Sequence, residues 1–384
     1  MRGSMRWVWL AAWPVTAVFV LSNAATPLYV LWQRELGFSD GTLTVVFACY
    51  IAGLIASLLV SGVLSDRFGR RPVLLPALGL ALVACAVFAA APSVAALMLA
   101  RLLTGIAVGA VVSAGMAAVT DVAGPRRARL AALLASTAMV LGAGLGPLLA
   151  GVLSETLPAP TRTVFAVEAV LLAAAVAVVA RMPAGRPAAP DARGFVRVPR
   201  VPRGDGRRLA LGVAVFAPGI TATSFMLSLG PSLLHSGNRA VAGGTAFAMF
   251  GAATGVQFAA RALPRRTILA AGAAATAIAM ASLVAAVWTG RTGVLLAAAV
   301  LAGAGQGLGQ FAGLSLLNAS VPPGRLAEAN AAFNLGGYVP AGLLPVAAGH
   351  LGDAVGLTGA ATVFGAVLGA CAIGGGAFVL AQAK

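Results

Sequence analysis

Gly62-Val63-Leu64-Ser65-Asp66-Arg67-Phe68-Gly69-Arg70-Arg71-Pro72 sets one acid and three arginines between two long apolar runs. Residues 42-63 before it and 73-91 after it carry no charged side chain. At about 1.5 Å per helical residue, each is long enough to cross roughly 30 Å of hydrocarbon. The stretch therefore reads as a short polar loop joining two membrane helices. A tight turn there needs Gly69, because glycine accepts positive φ, and Asp66 with the arginines is placed to pair with neighbouring helix ends and their dipoles.

The alternation continues in both directions. The chain has 384 residues, 60% of them hydrophobic and only 9% charged, with a mean hydropathy of +0.96. A soluble surface needs about a quarter of its residues charged, and disorder needs low hydrophobicity, so soluble enzymes and disordered chains are excluded. Apolar runs bounded by Arg, Pro, Gly or Asp fall near 8-31, 42-63, 73-91, 96-119, 130-153 and 163-181. Six more follow near 209-233, 240-260, 268-288, 293-317, 327-350 and 358-381. Twelve crossings put both termini on one side. The first run, with Arg2 and Arg6 before it and Ser22-Asn23-Ala24-Ala25 inside it, has some features of a cleavable signal. It continues through Pro27-Leu28-Tyr29-Val30-Leu31-Trp32, which makes it a span with Trp32 as an interfacial anchor.

The formal net charge is +16, which in a soluble protein would suggest nucleic acid. The distribution gives another reason. With the N-terminus inside, Arg34, Arg162, Arg239 and Arg291 lie in outer loops and Arg101 lies within a span, leaving 21 of the 26 basic residues on the inner side. That asymmetry is the positive-inside pattern of a multi-pass protein of the cytoplasmic membrane, with both termini cytoplasmic and no nucleic-acid partner. Cys49, Cys85 and Cys371 sit in apolar runs as small hydrophobes. Residues 182-208 hold five prolines and seven arginines against Asp191 and Asp205. This is a flexible inner linker, attracted to anionic lipid heads or serving a regulatory partner.

On either side of the linker the halves echo each other. Residues 16-26 align with 213-223 at five of eleven positions, Arg70-Arg71 returns as Arg265-Arg266, and Pro147 to Gly151 returns as Pro345 to Gly349. The expected organisation is an N-terminal six-helix bundle over 1-181, the cytoplasmic Arg/Pro-rich linker over 182-208 and a C-terminal six-helix bundle over 209-384. Paired halves of this kind are a transporter architecture, with the substrate site near the bilayer midplane.

The Gly62–Pro72 loop closely resembles the motif of the major facilitator superfamily, in which glycine, leucine, aspartate, a basic residue, glycine and two basic residues keep fixed spacing. Here these are Gly62, Leu64, Asp66, Arg67, Gly69, Arg70 and Arg71. The resemblance implies an all-α fold of twelve transmembrane helices in two pseudo-symmetric bundles. It also implies a cytoplasmic gate latch in which Asp66 faces span eleven and Arg70 pairs with an acid at the end of span four, Asp121 being available. The second half has Arg261 and Pro264 where Asp66 and Gly69 stand, so the latch is expected mainly in the first.

Arg101-Leu102-Leu103-Thr104-Gly105 in span four resembles the family's second motif, an intramembrane arginine followed by small residues. A charge there costs about 2.5 to 3.5 kcal/mol and needs a partner or a wet cavity. Glu168 in span six, at similar depth, is the other interior charge. The two form either a structural ion pair or a proton-coupling site. Gly142, Gly146, Pro147 and Gly151 in span five resemble the family's antiporter motif, with Ala150 where a glycine is usual. Close helix packing explains the same residues; the motif itself implies export by antiport.

By the same resemblance the cavity is lined by spans 1, 4, 7 and 10. Asn23, Thr26, Tyr29, Thr221, Ser224, Gln306 and Gln310, with Asn334 on span eleven, are its candidate contacts. Asn23 stands where many drug exporters of the family carry an acid, so a neutral or amphipathic organic molecule suits this chain better than a cation. No nucleotide-binding loop and no metal-ligand cluster appears, so no cofactor is expected and the proton motive force is the energy source. The reading is a proton-coupled exporter of a small organic compound, embedded in the lipid bilayer as a monomer, with protons and substrate as partners. An importer or uniporter of metabolites and a non-transporting membrane sensor are the alternatives. Cysteine-accessibility mapping is expected to find twelve crossings and to place residues 182-208 on the same side as both termini; any other count, or residues 182-208 on the exterior, removes the two-bundle scheme.

Overall fold

The computed structural model describes residues 5–182, 199–234, 237–322 and 325–382, and among them there is helix and turn but no strand. In hydrocarbon each backbone N–H and C=O must find its partner within its own segment, and the helix achieves this. The first part of the chain folds as α1 (Met5–Ala24), α2 (Tyr29–Leu36), α3 (Asp40–Phe68), α4 (Arg71–Ala90), α5 (Val94–Ala110), α6 (Met116–Ala123), α7 (Ala128–Thr156) and α8 (Pro160–Arg181). The second part supplies α9 (Gly206–Ser228), α10 (Gly230–Leu233), α11 (Arg239–Ala260), α12 (Arg265–Thr289), α13 (Thr292–Asn318), α14 (Leu326–Val355) and α15 (Leu357–Ala381).

Eleven helical segments among the described residues are long and apolar enough to cross a membrane. The expected span over 240-260 is present as α11, but Gly243, Gly244, Thr245, Gly251, Thr254, Gly255 and Gln257 dilute its hydropathy, and it is not among the eleven. The first expected span, 8-31, is not one helix. It stops at Ala24, passes through a 3-10 turn at Thr26–Leu28 and resumes as α2. Pro27 has no N–H to continue the ladder, which places the break there. Span four carries a π-turn at Val111–Gly115 and runs on to Ala123. The polar stretch after span two is also mostly helical. α3 extends to Phe68, the Gly69 N–H donates to the Ser65 carbonyl at 3.0 Å, and α4 begins at Arg71. Apolar content marks where the membrane ends, whereas a helix ends where a residue leaves its dihedrals; here that is Gly69, at φ +94.

The described residues fall into two compact units, one within Met1–Leu28 and Cys49–Arg197 and the other within Tyr29–Ala48 and Val198–Lys384. The segment Tyr29–Ala48, assigned to the first bundle by the sequence division, thus packs with the second unit. Residues 183–198 of the linker lie outside the described residues. Beyond them the Arg200 N–H donates to the Glu328 carbonyl at 3.3 Å. Asp205 caps the approach to α9, where hydrogen bonds from Ser320 and Arg208 hold its carboxyl below the ordinary carboxylate range.

In the first unit α1 packs on α7 and α8, and α4 on α5 and α8. Phe88 of α4 stacks on Phe165 of α8 at 4.7 Å between ring centroids. In the second, α13 packs on α9, α11 and α12, and α14 on α9, with Phe216 and Phe333 stacked at 4.7 Å. Lipid tails are as apolar as leucine, so close backbone approach replaces the hydrophobic effect as the source of cohesion. The α1–α7 contact shows it. A Cβ on Gly142 would lie 2.6 Å from the Phe19 Cβ, and one on Gly146 would run into the Val20 carbonyl. Gly146→Val is therefore expected to destabilise the protein by about 1–3 kcal/mol through overpacking, read as a lower thermal midpoint in detergent. Gly255→Ala, where a Cβ meets nothing within 4 Å, should leave the midpoint unchanged or slightly raised; equal midpoints for the two variants would contradict the packing argument.

Candidate functional site

The sharp turn at Gly69 brings Arg70 back over the last turn of α3. Its Nη1 donates to Asp66 Oδ1 at 2.7 Å and to Ser65 Oγ at 2.8 Å, while its Nε donates to Asp121 Oδ2 of α6 at 2.9 Å. One guanidinium thus bridges two carboxylates from two helices, the planar use of arginine that lysine does not reproduce. Burial alone would lower the Arg70 pKa, but hydrogen bonds and charge from Asp66 and Asp121 outweigh it and raise the value above that of a free arginine. Arg67 lies over the Phe68 ring at 5.6 Å. Gly62 and Leu64 lie on the penultimate turns of α3, and Arg71 opens α4. The second unit has a related contact in which Arg265 Nε donates to Ser315 Oγ at 2.9 Å, a hydroxyl where the first unit has the Asp121 carboxylate.

Arg101 is 0% exposed. Its Nη1 donates to the Ser22 carbonyl at 2.7 Å, and its guanidinium carbon lies 5.1 Å from the centre of the Tyr50 ring. The break after Ala24 explains the acceptor. The last four carbonyls of a helix have no intrahelical partner and carry the negative end of its dipole, and Ser22 is among those four. Gly105, one turn beyond Arg101, lets α5 lie on the α3 backbone at Tyr50. Asn23 Nδ2 donates to Ser22 Oγ at 3.1 Å and reaches the Ala143 carbonyl of α7 at 3.5 Å. Arg101 and Asn23 are therefore gathered at the broken end of α1, with Gly142 and Gly146 packed just beside it. Pro147 continues α7, and the Gly151 carbonyl accepts from Ser154 Oγ at 3.0 Å.

Glu168 is 2% exposed on α8, one turn from the Phe165 that stacks on α4. Its Oε2 has no hydrogen-bond partner among the described residues. The Arg101–Glu168 ion pair left open by the sequence is not formed among the described residues, because Arg101 turns to the end of α1. Thr26 and Thr221 are buried with hydroxyls that have no hydrogen-bond partner among the described residues, as is Gln306 Oε1. Gln306 sits against Gly219 of α9, and Ser224 Oγ donates across to the Ala341 carbonyl of α14 at 2.6 Å. Tyr29 is buried beside Trp32, and Gln310 and Asn334 are half-buried. Sequence reasoning missed Tyr50 as a partner of Arg101 and Ser315 as a partner of Arg265. Pro27, inside an apolar run and just after Asn23, was the signal for the broken helix.

A family model described as Major Facilitator Superfamily matches residues 8–263. "Major facilitator-type transporter psiT2" of Psilocybe cyanescens is 37% identical over 125 residues, 32% of this chain and 22% of that protein. "Multidrug resistance protein MdtL" of Escherichia coli is 32% identical over 145 residues, 36% of each chain. The matched stretch thus spans between about a fifth and about a third of the length of these curated relatives. Among solved structures, a POT family transporter in complex with 5-aminolevulinic acid superposes with a TM-score of 0.79 at 12% identity, covering 100% of this chain and 99% of that one. A bacterial homologue of the human lysosomal transporter Spinster does so with 0.75 at 13%, covering 99% and 97%. These likenesses show the fold. For the Arg101 contact, Arg101→Leu is expected to raise amide exchange over residues 23–29 about tenfold, as one charge-assisted hydrogen bond predicts, with Arg101→Lys intermediate. Unchanged exchange in Arg101→Leu would show that the break in α1 does not depend on this residue.

Proposed function

The chain belongs to the Major Facilitator Superfamily, a family of transporters rather than enzymes, and we propose that it is a secondary active exporter working by alternating access. In this reading it carries a small neutral or amphipathic organic compound out of the cell against proton entry. It sits in the cytoplasmic membrane as a monomer, both termini inside, with the bundles 1-181 and 209-384 joined by the linker and no cofactor beyond the proton motive force.

The observation that carries the proposal is the buried Arg101 on the carbonyl end of a broken first span. A helix interrupted at membrane depth, polar at its break and held by a single intramembrane charge, is an arrangement used for binding sites rather than for structure alone. Asn23, Thr26, Thr221, Ser224, Gln306 and Gln310 offer neutral hydrogen-bonding groups and no carboxylate, which supports a neutral or amphipathic cargo. The Arg70 bridge between Asp66 and Asp121 is a charged fastening that holds one conformation and opens in another. The glycines of α7 against α1, in the place of the antiporter motif, and the printed name of the multidrug resistance relative support export.

Glu168 supplies the proton site of this scheme. It is buried within the first unit with one carboxylate oxygen lacking a hydrogen-bond partner among the described residues. Gain of a proton removes its charge and changes the relative stability of two conformations, which couples pH to the cycle.

Everted membrane vesicles test the scheme. An acid-inside gradient is expected to drive uptake of dyes or drugs by the unaltered chain. Asp66→Asn should abolish that uptake with expression and insertion intact, and Glu168→Gln should make it insensitive to the gradient. Uptake seen only in right-side-out vesicles would replace export with import, and an unchanged pH profile for Glu168→Gln would return Glu168 to a structural role.

A further inference from the structure

In the second unit α12 and α15 lie side by side and antiparallel. A Cβ on Gly376 would come within 3.1 Å of the Ala273 Cβ, one on Gly369 within 3.5 Å of Met280 and one on Gly365 within 2.8 Å of Val284. Farther along, Trp288 Nε1 donates to Thr362 Oγ1 at 3.1 Å. The residue that follows each glycine contact is an exposed alanine: Ala274, Ala281 and Ala285 on α12, Ala366, Ala370 and Ala377 on α15. A one-residue step turns both helices the same way, and because they are antiparallel these alanines fall on one side of the seam. Both helices are long and apolar enough to cross the membrane, so the seam is a shallow trough open to hydrocarbon.

One end of the trough carries charge. Arg266, in the first turn of α12, donates from Nη2 to the Leu380 carbonyl at 3.1 Å. Arg207, counted with the linker by sequence, stands in the first turn of α9 and donates from Nη2 to the Gln382 carbonyl at 3.3 Å. Two arginines from two helices thus meet at the C-terminal end of a third. Neither reaches a carboxylate among the described residues, since Asp205 is taken by Arg208 at 2.8 Å. A helix end carries about half an elementary charge, so two guanidiniums exceed what capping α15 requires. Both side chains are exposed, as is Thr267 beside Arg266 on the open side of the seam. Each guanidinium has N–H donors beyond the one it gives to α15.

We propose that this is a binding site for an anionic glycerophospholipid, with its phosphodiester on Arg266 and Arg207 and an acyl chain along the alanine trough between α12 and α15. A phosphodiester brings the negative charge the arginines lack and matches the guanidinium fork. Basic pockets between membrane helices suit such heads, and alanine walls leave a chain room to lie against two backbones. A free phosphate satisfies the arginines but leaves the trough bare. A zwitterionic lipid fills the trough but sets its own cation beside two others. The bound lipid joins α9, α12 and α15 at one end whatever the chain carries, so the site does not depend on the direction or cargo of transport.

The test is native mass spectrometry of the full chain in detergent, titrated with dioleoylphosphatidylglycerol or dioleoylphosphatidylcholine. The unaltered chain is expected to bind the anionic lipid about tenfold more tightly than the zwitterionic one. Arg266→Gln should weaken the anionic lipid about fivefold, and Arg207→Gln with Arg266→Gln should bring it to the level of the zwitterionic lipid. Arg266→Lys keeps the charge and should retain most of the binding, which separates loss of the site from misfolding. Arg291→Gln, just beyond the opposite end of α12, should change nothing. Ala377→Trp fills the trough and should weaken binding with both arginines intact. Equal affinity for the two lipids, or anionic binding that survives the double glutamine variant, would overturn the proposal. Displacement of the lipid by inorganic phosphate with no effect of Ala377→Trp would make this a free-anion site and overturn the lipid. A dimer without lipid adducts would put a second copy of the chain on the seam, with the same result.

Discussion

A guanidinium inside hydrocarbon is tolerated only where something of opposite polarity is already fixed to receive it, and the first unit is arranged around that requirement. Pro27 ends the ladder of α1 at membrane depth, the end of α1 leaves the Ser22 carbonyl without an intrahelical partner, and Arg101 donates to it from α5. The partner helices follow from the same point. α3 must bring Tyr50 under the guanidinium, which Gly105 permits, and α7 must lie on α1 just before the break, which Gly142 and Gly146 permit. A bulkier residue at any of these glycines would move the acceptor relative to the charge.

The two units solve a shared problem with different chemistry. Where Arg70 joins two carboxylates, Arg265 finds a serine hydroxyl at Ser315. Both contacts have a charged donor, but only Arg70 also meets charged acceptors, and two of them, so the fastening in the first unit is the stronger of the two. At the other end of α3 the fastening is again ionic, but it pairs the Asp353 carboxylate with a helix terminus instead of a cation. Each of these contacts is built from groups that water also solvates well. That property distinguishes them from a packed aromatic stack such as Phe216 on Phe333.

Much of the fold was legible because hydrocarbon thickness imposes a length on every apolar run. The runs around 73-91 and 163-181 became α4 and α8 almost as bounded, since Glu168 is the one charge inside them and Pro, Arg or Gly closes them. Two of the misjudged boundaries share one cause. Residues 64-68 and 120-123 are polar enough to leave the membrane yet remain helical, because a helix does not need to be apolar to continue. At 240-260 the expected helix is present as α11, and only its composition sets it apart. Glycine, threonine and glutamine dilute the hydropathy of α11 although its backbone is regular, since a helix needs its dihedrals and not apolar side chains to continue.

Sequence alone determined that this chain lies in a membrane, roughly where its long apolar helices fall, that Gly69 turns the chain and that Arg101 and Glu168 are the charges needing explanation, because each of these follows from transfer energies or from local dihedral limits. Tertiary structure alone decided the partners. Arg101 and Glu168 looked like natural mates by charge and depth, yet the guanidinium goes to a carbonyl exposed by a break in another helix, and Asp353 goes to a backbone N–H more than three hundred residues away in sequence. A side chain's demand for a partner is written in its own chemistry. Which group meets that demand depends on helix rotation and on close approach through glycine, and neither quantity is carried by any single stretch of sequence.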